Sequence, residues 1–365
     1  MGKDLFRVLR YKWGSDFGSF ISKKVVVVAG DVSDQNLGIK DKNTRRLMLE
    51  ELDIIVHSAA TTNLNERYDI EMETNTMGAF HVANFAKNCP KLEIVLHVST
   101  AYVCGEAEGL IVEEPLILEK LKELQTHNCN KEEIESEMKS FGHARTMDFV
   151  VVNYGKGILT DFVGNLETIL DAIPVDMVVN VMIVASMAHS KGLSQNLMYH
   201  IGSSMKNPFR ITDLVDVMYY YFTKNPCVDK YGKPIVVTKK MNLFSTRLCT
   251  KLMIYLRACK YHIPHIFNQQ LHKIAYLHFY VFCSAFANIL FKHTLILLTF
   301  KCILNSFDVK NAENLGIITT RVADMDDRFN FDSKSINWTD YMMNVHFPGL
   351  MKQYSVKALS IGSKM

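Results

Sequence analysis

The sequence predicts an α/β chain: a doubly wound parallel sheet in its first part, then a mainly helical C-terminal part. Three observations carry that expectation. Between Lys24 and Val98, short apolar runs alternate with helix-like segments, the pattern of right-handed βαβ crossovers. The apolar runs end in small or hydroxyl-bearing residues, where an open parallel sheet receives its ligands. Beyond Val237 the chain turns helical, aromatic and basic.

Composition sets the bounds. With 365 residues, 48% hydrophobic and 22% charged, the chain has ample material for a core and the length of two domains or one enlarged one. A net charge of +3, without a long Lys/Arg run, excludes nucleic acid as an expected partner. The eight cysteines are scattered with no C-x-x-C spacing, so neither a metal site nor a disulfide framework is expected. Reduced thiols fit a cytosol-facing protein.

Leu5, Val8, Leu9 and Trp13 make an amphipathic opening without a signal-peptide core. Phe6 stands where N-myristoylation prefers Ser or Thr, and the acidic Asp4 with few serines speaks against a plastid transit peptide. Val25 to Ala29 is a β-branched run expected as a strand buried on both faces, ending in Gly30-Asp31-Val32. A polar helix is expected around Asn43 to Glu51, then a strand from Asp53 to His57 that ends in Ser58-Ala59-Ala60-Thr61-Thr62-Asn63. A long helical pattern, Glu71 to Asn88, carries Asn75 and Gly78. The next strand, Leu92 to Val98, runs into Ser99-Thr100-Ala101-Tyr102. Hydroxyls so placed can touch a substrate or merely cap the strand end.

Further on, Asp171 to Asn180 reads as a strand, a proline at a helix start and a helix continuing to His189. Leu197 to Ser203 reads as another strand, and the aromatic stripe Val217 to Phe222 as a helix packed in a core. Two charge-free runs, 274–291 and 294–300, are separated by Lys292 and His293. Each is short for a spanning helix, so a membrane hairpin and a buried or membrane-leaning helix both remain open.

The strings GDV, SAATTNLNERYDI, NTMGAFHVANFAKNC and HVSTAYVCGE occur in the order found in extended short-chain dehydrogenase/reductases. With AIPVDMVVNVMI and NVHFPGL they resemble one branch, the plant alcohol-forming fatty acyl-CoA reductases, from Asp4 to about Lys352. The resemblance implies an incomplete Rossmann-like NAD(P)-binding domain over 1–236 and a helical reductase C-terminal domain over 237–365. It implies NADPH as cofactor and a long-chain fatty acyl-CoA as substrate, with a membrane surface, the endoplasmic reticulum included, as a further partner. By the same resemblance Asp31 accepts from the adenine amino group, with Val32 beside it. Ala59, Ala60 and Thr61 let the adenosine end lie against the backbone. Asn75 supports the site, and Thr100, with Ser99 beside it, hydrogen-bonds the substrate carbonyl.

Two expected parts have no counterpart in the sequence. The resemblance places the family's glycine-rich phosphate turn ahead of DLFRVLRYKWG, where the first helix would receive the diphosphate. The Tyr-x-x-x-Lys pair that protonates the carbonyl oxygen is missing after the STAY strand, and a join near Arg145–Thr146 is where it should lie. Tyr220 and Lys224 are the chain's one pair at that spacing, far downstream on the aromatic helix. Three readings remain: an NADPH-dependent reductase by lineage; a non-catalytic remnant binding lipid, membrane or a paralogue; and, opposed by PVDMVVN and NVHFPGL, a nucleotide-sugar epimerase.

Overall fold

The computed structural model describes residues 6–62, 67–100, 109–113, 146–163, 166–229, 231–244, 306–322, 329–352 and 354. The chain forms two compact units, Met1–Ser99 and Thr100–Met365. The first is a Rossmann-like α/β unit built on a parallel sheet; the C-terminal region is mainly helical.

In the first unit, helices α1 (Arg7–Trp13) and α2 (Phe17–Lys24) lie on either side of a tight turn. Aromatic pairs join them: Phe6 meets Phe17 edge-on at 6.2 Å, and Trp13 stacks on Phe20 at 4.2 Å. Ile21 is the one buried side chain of the two helices. Helix α3 (Lys42–Glu51) starts at Asp41, whose carboxylate accepts from the Asn43 and Thr44 amides at 3.2 and 3.1 Å, satisfying N–H groups that the helix cannot.

Strand β1 (Ile54–His57) leads through α4 (Tyr68–Glu71), a π-helical turn (Met72–Met77) and α5 (Gly78–Ala86) to strand β2 (Ile94–His97). The single helical stretch foreseen from periodicity is thus present. β1 and β2 pair in parallel, from Ile54↔Ile94 to His57↔His97, a βαβ unit. Val82, Phe85 and Cys89 turn inward from the helical side.

The valine run does not behave as expected. Val25 to Val28 belong to no strand, and Val26 and Val27 are 84% and 85% exposed. Strand propensity reflects packing on a pleated, half-buried surface. Among the described residues β1 pairs with β2 alone and the valines have no neighbouring strand, so their β-branching has nothing to act on.

The second unit is organised by helices α6 (Thr146–Gly155), α7 (Val175–Ser190), α8 (Ile211–Lys224), α9 (Lys310–Val322) and α10 (Trp338–Tyr341), the last continuing through a π turn, Met342–His346. Strands are short. β3 (Leu110–Ile111) pairs in parallel with β8 (Ser306–Phe307), and β4 (Asp161–Val163) with β7 (Asn242–Phe244); β5 (Ile169–Leu170) runs antiparallel to β6 (Phe209–Arg210). Val151, Phe162, Phe209, Met218, Phe222, Met342 and Phe347 fill the main core. α7 and α9 close a second one around Val184, Ala188 and Leu315. Pro174 precedes α7 as foreseen, and the aromatic stripe of α8 buries Val217, Met218, Tyr221 and Phe222. At Gly155 an added Cβ would collide with the Phe222 ring, so only glycine lets α6 approach α8 this closely.

The segment Leu197 to Ser203, expected as a strand, is not one. Carboxylates have taken its backbone donors. The His200 N–H donates to Glu113 Oε1 at 2.7 Å, and the Ser203 and Ser204 N–H groups donate to Asp171 Oδ1 at 2.7 and 3.3 Å. The apolar runs over 274–300 and the stretch before the Arg145–Thr146 join lie outside the described residues. Among the described residues no helix is long and apolar enough to cross a membrane.

Truncating a packed aromatic ring and truncating the valine run should differ sharply in thermal or urea unfolding. Phe347→Ala is expected to lower stability by about 3–5 kcal/mol, whereas Val27→Ser should change it by less than about 0.5 kcal/mol.

Candidate functional site

The segments that follow β1 and β2 hold Ala59, Ala60, Thr61 and Ser99, four of the residues singled out from sequence. After β1 the chain runs through Ser58, Ala59 and Ala60, all exposed, to Thr61. The π turn puts Asn75 opposite that loop. The Thr61 N–H donates to Asn75 Oδ1 at 2.8 Å, and Asn75 Nδ2 donates to the Thr61 carbonyl at 3.1 Å. One amide side chain thereby does for Thr61 what a neighbouring strand does for a strand residue.

The Gly30-Asp31-Val32 loop reaches the same helical stretch. Val32 packs on Gly78, where an added Cβ would lie 3.2 Å from Val32 Cγ2, and its carbonyl is 3.1 Å from His81 Nδ1. Asn75, Gly78 and His81 recur every three residues along one helical side, so a single helix holds both loops. The Asp31 loop is closed by its own N–H donating to the Leu37 carbonyl at 2.8 Å. Closure demands left-handed backbone at Asn36, Leu37 and Gly38, with φ of 53°, 59° and 63°. For Leu37 that conformation is strained.

Asp31 itself is exposed. Ser33 donates to its Oδ1 through both hydroxyl (2.7 Å) and amide (2.9 Å). The hydroxyl bond first, then the amide bond, holds the carboxyl below the usual aspartate range. Both bonds end on Oδ1, so at neutral pH the site presents an ionised carboxylate whose Oδ2 takes neither. Ser99 and Thr100 lie two and three residues beyond β2 and are exposed.

Sequence reading passed over one feature. His57 and His97, in register at the last rungs of the two strands, stack with ring centroids 4.9 Å apart. His57 is only 5% exposed. Burial, and then the facing His97, push its pKa below the ordinary histidine value. The available signal was two histidines each closing an apolar strand. Chemically the first unit offers one exposed carboxylate at Asp31, the small residues Ala59 and Ala60 against which a flat group can lie, hydroxyls at Thr61 and Ser99, and a stacked imidazole pair. Among the described residues there is no cluster of three or more metal-ligating side chains. Tyr220 is exposed, and Lys224 lies in the last turn of α8, a helix whose remaining stripe is core.

A family model described as "Male sterility protein", of the NAD-binding kind, matches residues 3–143. "Fatty acyl-CoA reductase 1" of Arabidopsis thaliana is 35% identical over 433 aligned positions, covering 95% of this chain and 86% of the relative. "Alcohol-forming fatty acyl-CoA reductase" of Simmondsia chinensis is 33% identical over 438, covering 96% and 86%. Both alignments are longer than the 365 residues of the chain, so each relative holds residues with no counterpart here. The terminal R domain of the myxalamid biosynthetic pathway superposes with a TM-score of 0.41 at 19% identity, over 67% of this chain and 62% of that one, a distant likeness.

The histidine pair makes the first unit acid-sensitive. A folded-state pKa below the unfolded value of about 6.5 gives stability that is complete above that value. It is lost as pH falls from there through the lowered folded value, where His57 must take a proton beside His97. Unfolding followed by tryptophan fluorescence between neutral pH and pH of about 5 should show this loss, and His57→Phe should flatten it. Asn75→Ala removes both the acceptor for the Thr61 N–H and the donor to its carbonyl and is expected to cost about 1–3 kcal/mol in the same measurement.

Proposed function

The chain belongs to the fatty acyl-CoA reductase family, and from that premise we propose that it binds a long-chain fatty acyl-CoA and the adenosine end of NADPH without completing the reduction. In the reaction for which its relatives are named, a thioester is reduced to the aldehyde with breakage of the C–S bond and release of the CoA thiol, and the aldehyde then to the primary alcohol, each step consuming one hydride and one proton. NADPH, when bound, supplies the hydride.

This chain's own residues fit the adenosine half of that cofactor. Asp31 keeps an ionised carboxylate oxygen for the adenine amino group, with Val32 beside it, and the small side chains of Ala59 and Ala60 leave room for a flat ring beside Thr61. Thr100, with Ser99 beside it, donates to the thioester carbonyl and orients it.

One observation carries the non-catalytic reading. No Tyr-x-x-x-Lys comes after the β2 strand at the expected distance, and the sole pair at that spacing, Tyr220 and Lys224, sits on α8. Without a tyrosine held near its working protonation state by a lysine, the developing alkoxide lacks the proton donor that the Tyr-x-x-x-Lys pair supplies. We assign residues 1–236 to the cofactor and thioester part and 237–365 to the helical reductase part, in a cytosol-facing protein working at the endoplasmic reticulum surface, where long-chain substrates partition.

Purified chain incubated with a long-chain acyl-CoA and NADPH is expected to yield neither aldehyde nor alcohol and to leave NADPH absorbance unchanged; alcohol would overturn the proposal. Acyl-CoA binding itself should persist in calorimetry and weaken about 5–10-fold in Thr100→Val, the loss of one hydrogen bond.

A further inference from the structure

We propose that α1, α2 and the valine run after them form an interfacial element that seats on an anionic lipid surface. The inference stands apart from the catalytic reading: it concerns what covers residues 6–28, whether or not any thioester is reduced.

These residues make almost no core. α1 buries no side chain and α2 buries only Ile21, and the aromatic pairs Phe6–Phe17 and Trp13–Phe20 hold the helices to each other. The apolar surface that remains is large. Tyr11 is 93% exposed, Val8 and Trp13 are exposed, and all four valines from Val25 to Val28 face solvent. Contiguous exposed apolar groups of this kind mark an interaction surface.

Charge selects the occupant. Six basic residues, Lys3, Arg7, Arg10, Lys12, Lys23 and Lys24, stand against two acidic ones, Asp4 and Asp16, in the first 24 residues. The segment alone therefore outweighs the +3 net charge of the whole chain. A second copy of the chain would bring the same positive charge to the contact and be repelled. A nucleic acid would answer the charge yet leave the valines in water. An anionic bilayer answers both: aliphatic groups enter the acyl boundary, Trp13 and Tyr11 suit the headgroup level, and Lys23 and Lys24 extend to the phosphates beside Val25.

Flotation of the full chain with phosphatidylcholine vesicles, with and without phosphatidylserine, tests this. Binding is expected only to the anionic vesicles, weakening as salt rises. Lys23→Glu with Lys24→Glu should weaken it by more than about tenfold, since each basic residue near such a surface contributes about fivefold. Brominated acyl chains should quench Trp13; the quenching should vanish in Trp13→Phe, whose remaining Trp338 is buried. The triple variant Tyr11→Ser, Val26→Ser, Val27→Ser alters only exposed side chains, so it should keep its melting temperature and lose the quenching. Any of four results would overturn the proposal: no vesicle binding; equal binding to neutral vesicles; binding undiminished in the triple variant; or RNA binding as strong as anionic-vesicle binding with Trp13 unquenched. Dimerisation through the valine run in sedimentation, without vesicle binding, would assign the surface to a second copy instead.

Discussion

A strand is stable only where neighbours take up its backbone groups, and among the described residues of the first unit that condition is met once, between β1 and β2. That pairing fixes what stands at the two strand ends. It sets His57 against His97 and brings the loop after β1 to Asn75. It also leaves the valine run, the segment with the strongest strand character in the sequence, in solvent.

Where the ladder ends, side chains take over its task. Asp41 caps α3, Asn75 clasps Thr61 by both backbone groups, and Asp171 collects the Ser203 and Ser204 amides. Glu113 collects the His200 and Asn311 amides, the second at 2.5 Å. Asp41 acts within its own helix start, while the other three tie segments distant in sequence; each substitutes an acceptor for a missing strand or helical turn. Glu113 does so under a desolvation penalty: burial raises its carboxyl pKa, partly offset by the amide bonds and reinforced by nearby Asp308. The packing leaves one exception among the described residues. The Ser203 hydroxyl is buried and has no hydrogen-bond partner.

Both π-helical turns in the described residues occur where a side chain must reach across the fold. Asn75 lies in the first, and His346, 3.1 Å from Asp148 Oδ1 on α6, ends the second. A π turn widens the helix by one residue and rotates the next turn relative to the last. It re-aims side chains that regular α spacing would send elsewhere, and neither turn is announced by proline or glycine within it.

The sequence by itself determined the α/β character, the strands expected over Asp53 to His57 and Leu92 to Val98, the helix between them, the proline-led α7 and the core stripe of α8, because each arises from local periodicity and end signals. It also placed Asp31, Ala59, Ala60, Thr61, Ser99 and Thr100 at the ends of apolar runs, and strings long enough to name the family are a property of sequence alone. Only tertiary structure decided which apolar runs become strands. Val25 to Ala29 and Leu197 to Ser203 have suitable residues, yet the first pairs with no strand among the described residues and the second finds carboxylates. The histidine pair and the Thr61–Asn75 clasp were equally out of reach, since register between strands and the turn of a π-widened helix depend on contacts between segments, which no local pattern encodes.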